Sequence, residues 1–187
     1  MSLLWQELNR HPVVSERDYK RFLRFPPARP FEGPLAENAA WARAWFAAHA
    51  RPWSSAIRAD ESVHALAGAR FPGAGELAVV AVSAGPEAEA EAGARWTAGE
   101  PDRYFFLECL AAAAVEALLA EARHRLGADK HLCPGYPGWP IQDNATLLAA
   151  LAGAGALPGP LAMLPSGMLT PKKSQLAVCA MRPVLAK

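Results

Sequence analysis

A proline-rich segment, residues 131–143, constrains the fold of this chain more than any other stretch. It reads HLCPGYPGWPIQD and directly follows the longest helical pattern in the sequence. Each proline fixes φ and removes a backbone donor, so the segment is predicted to be a stiff loop with preorganised carbonyls and amides. Gly135 and Gly138 lack a Cβ, so a ligand can approach the main chain closely at these positions.

The same loop carries two large aromatic rings, Tyr136 and Trp139. Both rings have a flat face and a polar tip, which can stack on a planar ligand and hydrogen-bond to it. One interpretation is therefore a site for a purine-bearing ligand. The alternative is a rigid connector whose aromatic rings plug the core. The loop composition alone leaves both interpretations open.

The pattern YFFLECLAAAAVEALLAEARHRL, residues 104–126, predicts a long helix before the loop. Asp102 is predicted to be its N-cap residue, and Gly127 is typical of the position just beyond a helix C-terminus. Within this helix, Glu116 is the only charged residue between Cys109 and Ala120. A carboxylate on so small and apolar a face either points into solvent or is kept for a partner such as an ammonium group.

The other elements alternate irregularly along the chain. Strands separated by single helices and loops, without regular βαβ spacing, favour an α+β fold over a doubly wound sheet. The predicted helices are 35–50, 87–96 and a third that Asp143 caps and that runs through Leu151. The predicted strands are 77–82 and 174–181.

Several classes of enzyme are not supported by any motif. The predicted strand 77–82 is followed by SAGPEAEAEAG, in which a proline blocks the glycine-rich turn of a dinucleotide-binding fold. The P-loop, H-E-x-x-H and G-x-S-x-G patterns are missing from the sequence, and its five histidines show no metal-ligand spacing. The sequence therefore shows no self-contained catalytic set and no metal site.

Net charge and cysteine content limit the binding partners and the cellular compartment that we expect for this protein. The net charge is +1 and no basic cluster stands out, so neither nucleic acid nor an anionic membrane is expected as a partner. Cys109, Cys133 and Cys179 form neither a disulfide framework nor a metal-binding pattern, which favours a reducing compartment. No signal peptide or membrane span is predicted, and we expect the protein in the cytoplasm.

Three blocks of sequence, in order, resemble a known family. They are AAAAVEALLAEARHRL (111–126), CPGYPGWPIQD (133–143) and LPSGMLTPKKSQLAV (164–178). Together they resemble the activation (reactivation) domain of cobalamin-dependent methionine synthase, especially its short free-standing relatives. The resemblance covers about residues 77–181. We therefore expect an activation-domain-like core at 61–187 and an N-terminal helical or irregular segment of unclear role at 1–60, or one continuous domain.

The resemblance implies an α+β fold with a bent antiparallel sheet and flanking helices, unlike the Rossmann methyltransferases, and a site for S-adenosylmethionine. It places Cys133, Gly135 and Tyr136 at the ligand. Glu116 corresponds to the family's helix glutamate, which faces the methionine amino group. His131 stands where the family has an arginine that meets the ligand carboxylate.

His131 is a departure from the family pattern. Histidine has no bidentate fork and is mostly neutral near pH 7, so it is a weaker partner for a carboxylate than arginine. The neighbouring Lys130 is the cation that the sequence offers as a replacement. The family's aspartate nearer the N-terminus has no position assigned in this chain.

The resemblance also implies an accessory function. Cobalamin cycling as cob(I)alamin is occasionally oxidised to an inactive cobalt(II) form, whose rescue needs an electron and the methyl group of S-adenosylmethionine. The expected partners are a cobalamin-binding methionine synthase, or another corrinoid methyltransferase, and an electron donor such as flavodoxin or a reductase. Cobalamin would be held only by the partner protein. The alternatives are a scaffold or regulatory protein that has lost the ligand, and a self-sufficient methyltransferase acting on a small substrate.

Overall fold

The computed structural model describes residues 2–181, which form a five-stranded antiparallel sheet, a two-stranded ribbon and surrounding helices. The order of strands in the large sheet is β1-β2-β3-β7-β4, and β5 pairs with β6 in the ribbon. The strands are β1 (Leu3–Leu8), β2 (Trp53–Arg58), β3 (Glu76–Ser83), β4 (His131–Leu132), β5 (Ala162–Met163), β6 (Leu169–Thr170) and β7 (Ser174–Met181).

Helices cover both faces of the large sheet. The helices are α1 (Glu16–Phe22), α2 (Pro34–His49), α3 (Glu61–Ala67), α4 (Pro86–Thr97), α5 (Pro101–Arg125) and α6 (Asn144–Gly153). Buried residues of α1, α2, α4 and α5 form a core on one face of the sheet, and those of α3 and α6 form a second core on the other. The predicted α+β class, with an antiparallel sheet and flanking helices, is confirmed.

The central strand β3 explains the unbroken apolar run that the sequence shows there. Successive side chains of a strand point to opposite faces, so a strand that is covered on both faces has no polar side. The side chains of Ala78, Val80 and Val82 belong to the α5 core. The intervening side chains of Leu77, Val79 and Ala81 belong to the α6 core.

Strand β2 is buried although its sequence, WSSAIR, looks half polar. The Ser55 hydroxyl donates to the Ala156 carbonyl at 2.7 Å, and the Trp5 indole donates to Ser54 Oγ at 3.3 Å. Residues of the N-terminal segment thus build β1 and β2, and β2 pairs along its whole length with β3. The division of the chain at residue 60 stays a prediction.

The long helix α5 begins earlier than expected. Pro101 occupies its first turn, where the missing backbone N–H of proline costs nothing. Glu100 is the N-cap residue and forms no side-chain capping bond, so the predicted cap at Asp102 is wrong. Gly127 ends the helix with a φ of +63° and donates its N–H to the His124 carbonyl, as predicted. None of the described helices combines the length and apolarity needed to cross a bilayer.

We expect the substitution Ile57→Ala to lower the free energy of unfolding by about 2–5 kcal/mol, because Ile57 is fully buried in the core beside α6. Leu3 is its register partner on β1 but is 49% exposed, and Leu3→Ala should cost less than about 1 kcal/mol. Equilibrium denaturation of both variants checks this difference. Equal losses would show that the two strands are buried to the same extent.

Candidate ligand-binding site

The proline-rich loop that follows β4 is a series of tight turns. The Tyr136 N–H donates to the Cys133 carbonyl at 3.1 Å, and the Trp139 N–H donates to the Tyr136 carbonyl at 2.9 Å. The Gly135 N–H closes the loop by donating to the Trp139 carbonyl at 2.9 Å. Gly135 and Gly138 have φ values of +93° and +80°, a region that favours glycine. The predicted stiff loop is therefore held by its own backbone as well as by its prolines.

Trp139 anchors this loop in the protein. Its side chain is only 4% exposed in the core beside α6, and its indole N–H donates to Asp143 Oδ2 at 2.8 Å. The Arg70 guanidinium lies over the ring at 4.8 Å from its centroid. Asp143 stands at the N-cap position of α6 without a capping bond, because its carboxylate binds the tryptophan instead. For Trp139, the interpretation as a plug of the core is confirmed.

Tyr136 turns the opposite way and packs against the core beside α5. It lines a cavity of about 290 Å³ between the loop, the β5–β6 ribbon and the start of β7. The residues that line this cavity include Cys133, Pro134, Tyr136, Ile141, Asn144, Met168, Leu169, Ser174, Gln175 and Leu176.

The ribbon is held against the start of α6 and the end of the loop through Gly167. The buried Asn144 side chain donates to the Gly167 carbonyl at 3.0 Å. A Cβ at Gly167 would lie 2.9 Å from the Ile141 side chain, so only glycine allows this close contact. The wall of the cavity that the ribbon forms is thereby fixed relative to Tyr136.

Glu116 lines an adjoining cavity of about 230 Å³, and the two cavities share Lys172, Ser174 and Gln175 as lining residues. The side chain is partly buried and forms no hydrogen bond or ion pair with any other described residue. The nearby Glu108, by contrast, pairs with Lys172 at 3.0 Å and with Lys173 at 3.2 Å. The Glu116 carboxylate is therefore available to a cationic partner.

His131 connects the site to helix α5. Its Nδ1 lies 3.5 Å from Arg123 Nη1, and its Nε2 lies 3.2 Å from the Tyr136 hydroxyl. Arginine can only donate, so Nδ1 is assigned as the acceptor and Nε2 carries the hydrogen that is donated to Tyr136. Burial, and next the charge of Arg123, lower the pKa of His131. His131 is thus a neutral group that orients Tyr136 rather than a cation.

Two further groups complete the surroundings of the Tyr136 hydroxyl. The Gln175 amide donates to Cys133 Sγ at 3.1 Å and to the Tyr136 hydroxyl oxygen at 3.4 Å. Burial raises the pKa of the Cys133 thiol to about 11 and that of Tyr136 to about 12, so both stay protonated near pH 7. The hydroxyl oxygen accepts from His131 and Gln175, and its own hydrogen can be donated to a ligand or to the neighbouring thiol.

The structure thus brings together most of the predicted site residues. Cys133 and Tyr136 line the first cavity and Glu116 the second, while Gly135 is exposed on the loop and His131 supports Tyr136. Lys130, the predicted replacement for the family's arginine, lies against Phe71 at 5.2 Å and lines neither cavity.

Sequence reasoning missed two residues of this network. Gln175 lies in the predicted C-terminal strand, where nothing distinguishes it from a surface residue. Arg123 lies seven residues after Glu116, so the two residues fall on the same face of the helix. This spacing could have identified Arg123 from the sequence.

The described residues contain no cluster of His, Cys, Asp and Glu that could hold a metal ion. Protonated donors beside a free carboxylate suit binding better than acid–base chemistry.

We expect the pKa of His131 to lie below its ordinary value of 6.5 in the folded protein. The unfolded chain then takes up the proton more readily, so the contribution of His131 to stability is complete above pH 6.5 and is lost as the pH falls toward the folded-state pKa. NMR titration of the imidazole measures this pKa, and Arg123→Met should raise it because a neighbouring positive charge is removed. A wild-type value above 6.5 would contradict the assigned contacts, and Arg125→Met is the matched control.

Comparison with known proteins gives a match at the level of structure. No family model matches the sequence, and no curated protein matches it significantly. The crystal structure of the MetH reactivation domain bound to AdoHcy has a similar fold, with a TM-score of 0.61 and 12% sequence identity. The match covers 98% of this chain and 80% of that chain. The resemblance inferred from the sequence is therefore confirmed for the fold, which is that of the methionine synthase reactivation domain.

Proposed function

We propose that this protein is a stand-alone S-adenosylmethionine-binding module that serves the reductive reactivation of a cobalamin-dependent methyltransferase, in the first place methionine synthase. The observation that carries the proposal is the unpaired Glu116 carboxylate beside the Tyr136 cavity, within a reactivation-domain fold. A domain of this fold binds AdoHcy, the demethylated form of S-adenosylmethionine. The three free cysteines suit a cytoplasmic protein.

The chemistry of the two cavities fits such a ligand. Pockets for small molecules typically have volumes of about 300–1,000 Å³, and the first cavity reaches that range once the adjoining one is added. The nucleoside would lie against Tyr136 and the exposed backbone of Gly135. The amino-acid portion would extend past Gln175, so that its ammonium group meets Glu116.

The residues of this site bind and orient, and the ligand supplies the methyl group as a cation equivalent when it is bound. Tyr136 donates its hydroxyl hydrogen, Gln175 holds the tyrosine and the Cys133 thiol, and Glu116 compensates a positive charge. No proton needs to move between these groups. Their contribution to the rate would be proximity, because they place the methyl group toward a corrinoid that a partner protein carries. The electron would come from a third protein such as flavodoxin or a reductase.

We expect Glu116→Gln to weaken S-adenosylmethionine binding by about 10- to 100-fold, because it removes a charge-assisted contact and keeps the shape. Tyr136→Phe should weaken binding by roughly 3- to 10-fold, the typical effect of a lost neutral hydrogen bond. Isothermal titration calorimetry measures both. Glu121→Gln is the matched control, because Glu121 lies on the same helix but pairs with Arg10 outside both cavities.

The calorimetric result distinguishes a ligand-binding module from a scaffold or regulatory protein. Unchanged affinity in both site variants would contradict the site assignment. If the wild-type protein binds no S-adenosylmethionine at all, the chain is better described as a scaffold or regulatory partner that keeps the fold. The neutral His131 in place of the family's arginine is the observation that favours this second function.

A reconstituted assay tests the accessory role directly. A methionine synthase that lacks its own reactivation domain is trapped in the cobalt(II) form and supplied with S-adenosylmethionine and a flavodoxin reducing system. Adding this protein should restore turnover, whereas Glu116→Gln should restore it poorly because less ligand is bound. Equal recovery without the protein would contradict the role. Methyl transfer to a small substrate without any corrinoid protein would indicate a self-sufficient methyltransferase.

A further inference from the structure

The guanidinium group of Arg123 is left largely unsatisfied behind His131, the residue that links it to Tyr136. Its side chain is partly buried and forms no ion pair with a described acidic residue. Arginine carries five N–H donors, yet within residues 2–181 the side chain of Arg123 forms a single hydrogen-bond contact, at 3.5 Å with His131. Its Nε is buried and has no hydrogen-bond partner in the described part of the chain. An unpaired buried donor is costly, and it indicates a missing acceptor.

Arg123 and Glu116 lie on one face of α5. Seven residues are close to two helical turns, so the two side chains project within about 20° of each other and about 10.5 Å apart along the axis. A long side chain on a helix leans toward the N-terminus, which brings the Arg123 guanidinium back toward Glu116. The two opposite charges do not pair with each other, although both are partly buried. Such an arrangement is complementary to a zwitterion.

The other cations near the two cavities are already engaged. Lys172 and Lys173 both pair with Glu108, and Lys172 also lies 5.9 Å from the centroid of the Tyr104 ring. Lys130 donates to the Arg70 carbonyl and lies against an aromatic ring of the opposite core. Arg123 lines neither cavity, but unlike these lysines it contacts His131 and keeps a buried N–H without a described acceptor, which makes it the candidate cation for an anionic group.

We propose that Arg123 binds the carboxylate of the ligand's α-amino-acid portion, while Glu116 binds its ammonium group. This inference rests on the proposed function and adds a residue to it. His131 is a positioning residue in this arrangement. Its Nδ1 accepts from one side of the guanidinium and leaves the remaining N–H groups for a carboxylate.

The experiment compares two ligands that differ by one carboxylate, S-adenosylmethionine and decarboxylated S-adenosylmethionine. Affinities of the wild-type protein are measured by calorimetry, with competition titrations up to millimolar concentration for the weaker ligand. Arg123→Met should lower the affinity for S-adenosylmethionine by about 10- to 100-fold and leave that for the decarboxylated compound unchanged. Arg123→Lys should have an intermediate effect, because it keeps the charge but loses the bidentate fork.

Arg125→Met is the matched control, because Arg125 lies on the same helix but pairs with Glu7 away from both cavities. Its affinity for both ligands should equal that of the wild type, and thermal unfolding of every variant checks the fold. Equal losses for the two ligands in Arg123→Met, or no loss for S-adenosylmethionine, would overturn the role of Arg123 alone. Failure of the wild-type protein to bind S-adenosylmethionine would instead overturn the proposed function together with this inference.

Discussion

The burial of β3 on both faces is the constraint on which the rest of the structure depends. An antiparallel sheet with no polar side needs a layer of helices above and below it, and the two cores supply these layers. Apart from hydrogen-bonded serines such as Ser55 in β2, polar side chains then gather where the helices no longer cover the sheet. β4 pairs with β7 only at Cys179 and Val178, because the chain leaves the sheet at Cys133, just before Pro134. The edge of β7 that this exposes, around Gln175, forms a wall of the cavity that Tyr136 lines.

The charged residues of α5 differ in whether they have a partner of opposite charge. Glu108 forms ion pairs with Lys172 and Lys173 in the turn before β7. Its charge therefore joins α5 to that turn and is not free for a ligand. Two turns further along α5, Glu116 has no such partner among residues 2–181, and Arg123 has only His131 there. Leaving both unpaired costs stability, which natural proteins usually accept at functional sites. The single helix α5 thus contains a structural acid at its start and the candidate ligand-binding charges toward its end.

The elements with a strong local signal could be predicted from the sequence, and those that depend on distant partners could not. The run Leu77–Val82 and the long helix were predictable because their apolar patterns are continuous. Strand β2 was missed because its serines look solvated. Ser55 is buried because β2 pairs with β1 and β3, and its hydroxyl is satisfied by the Ala156 carbonyl. The cap at Asp143 was predicted from the preference of aspartate for that position, but its carboxylate accepts from the Trp139 indole four residues earlier and forms no capping bond.

For the candidate site, too, residues with a strong local signal could be predicted, and contacts between distant residues could not. Glu116 and the loop stand out because one is a lone charge on an apolar helix and the other is rich in proline. The role of His131 could not be read from the loop alone, because its tautomer depends on Arg123, eight residues earlier in the chain. Interpreted alone, the histidine looks like the loss of a positive charge. Together with Arg123 it becomes the neutral link between a guanidinium on the helix and a hydroxyl on the loop.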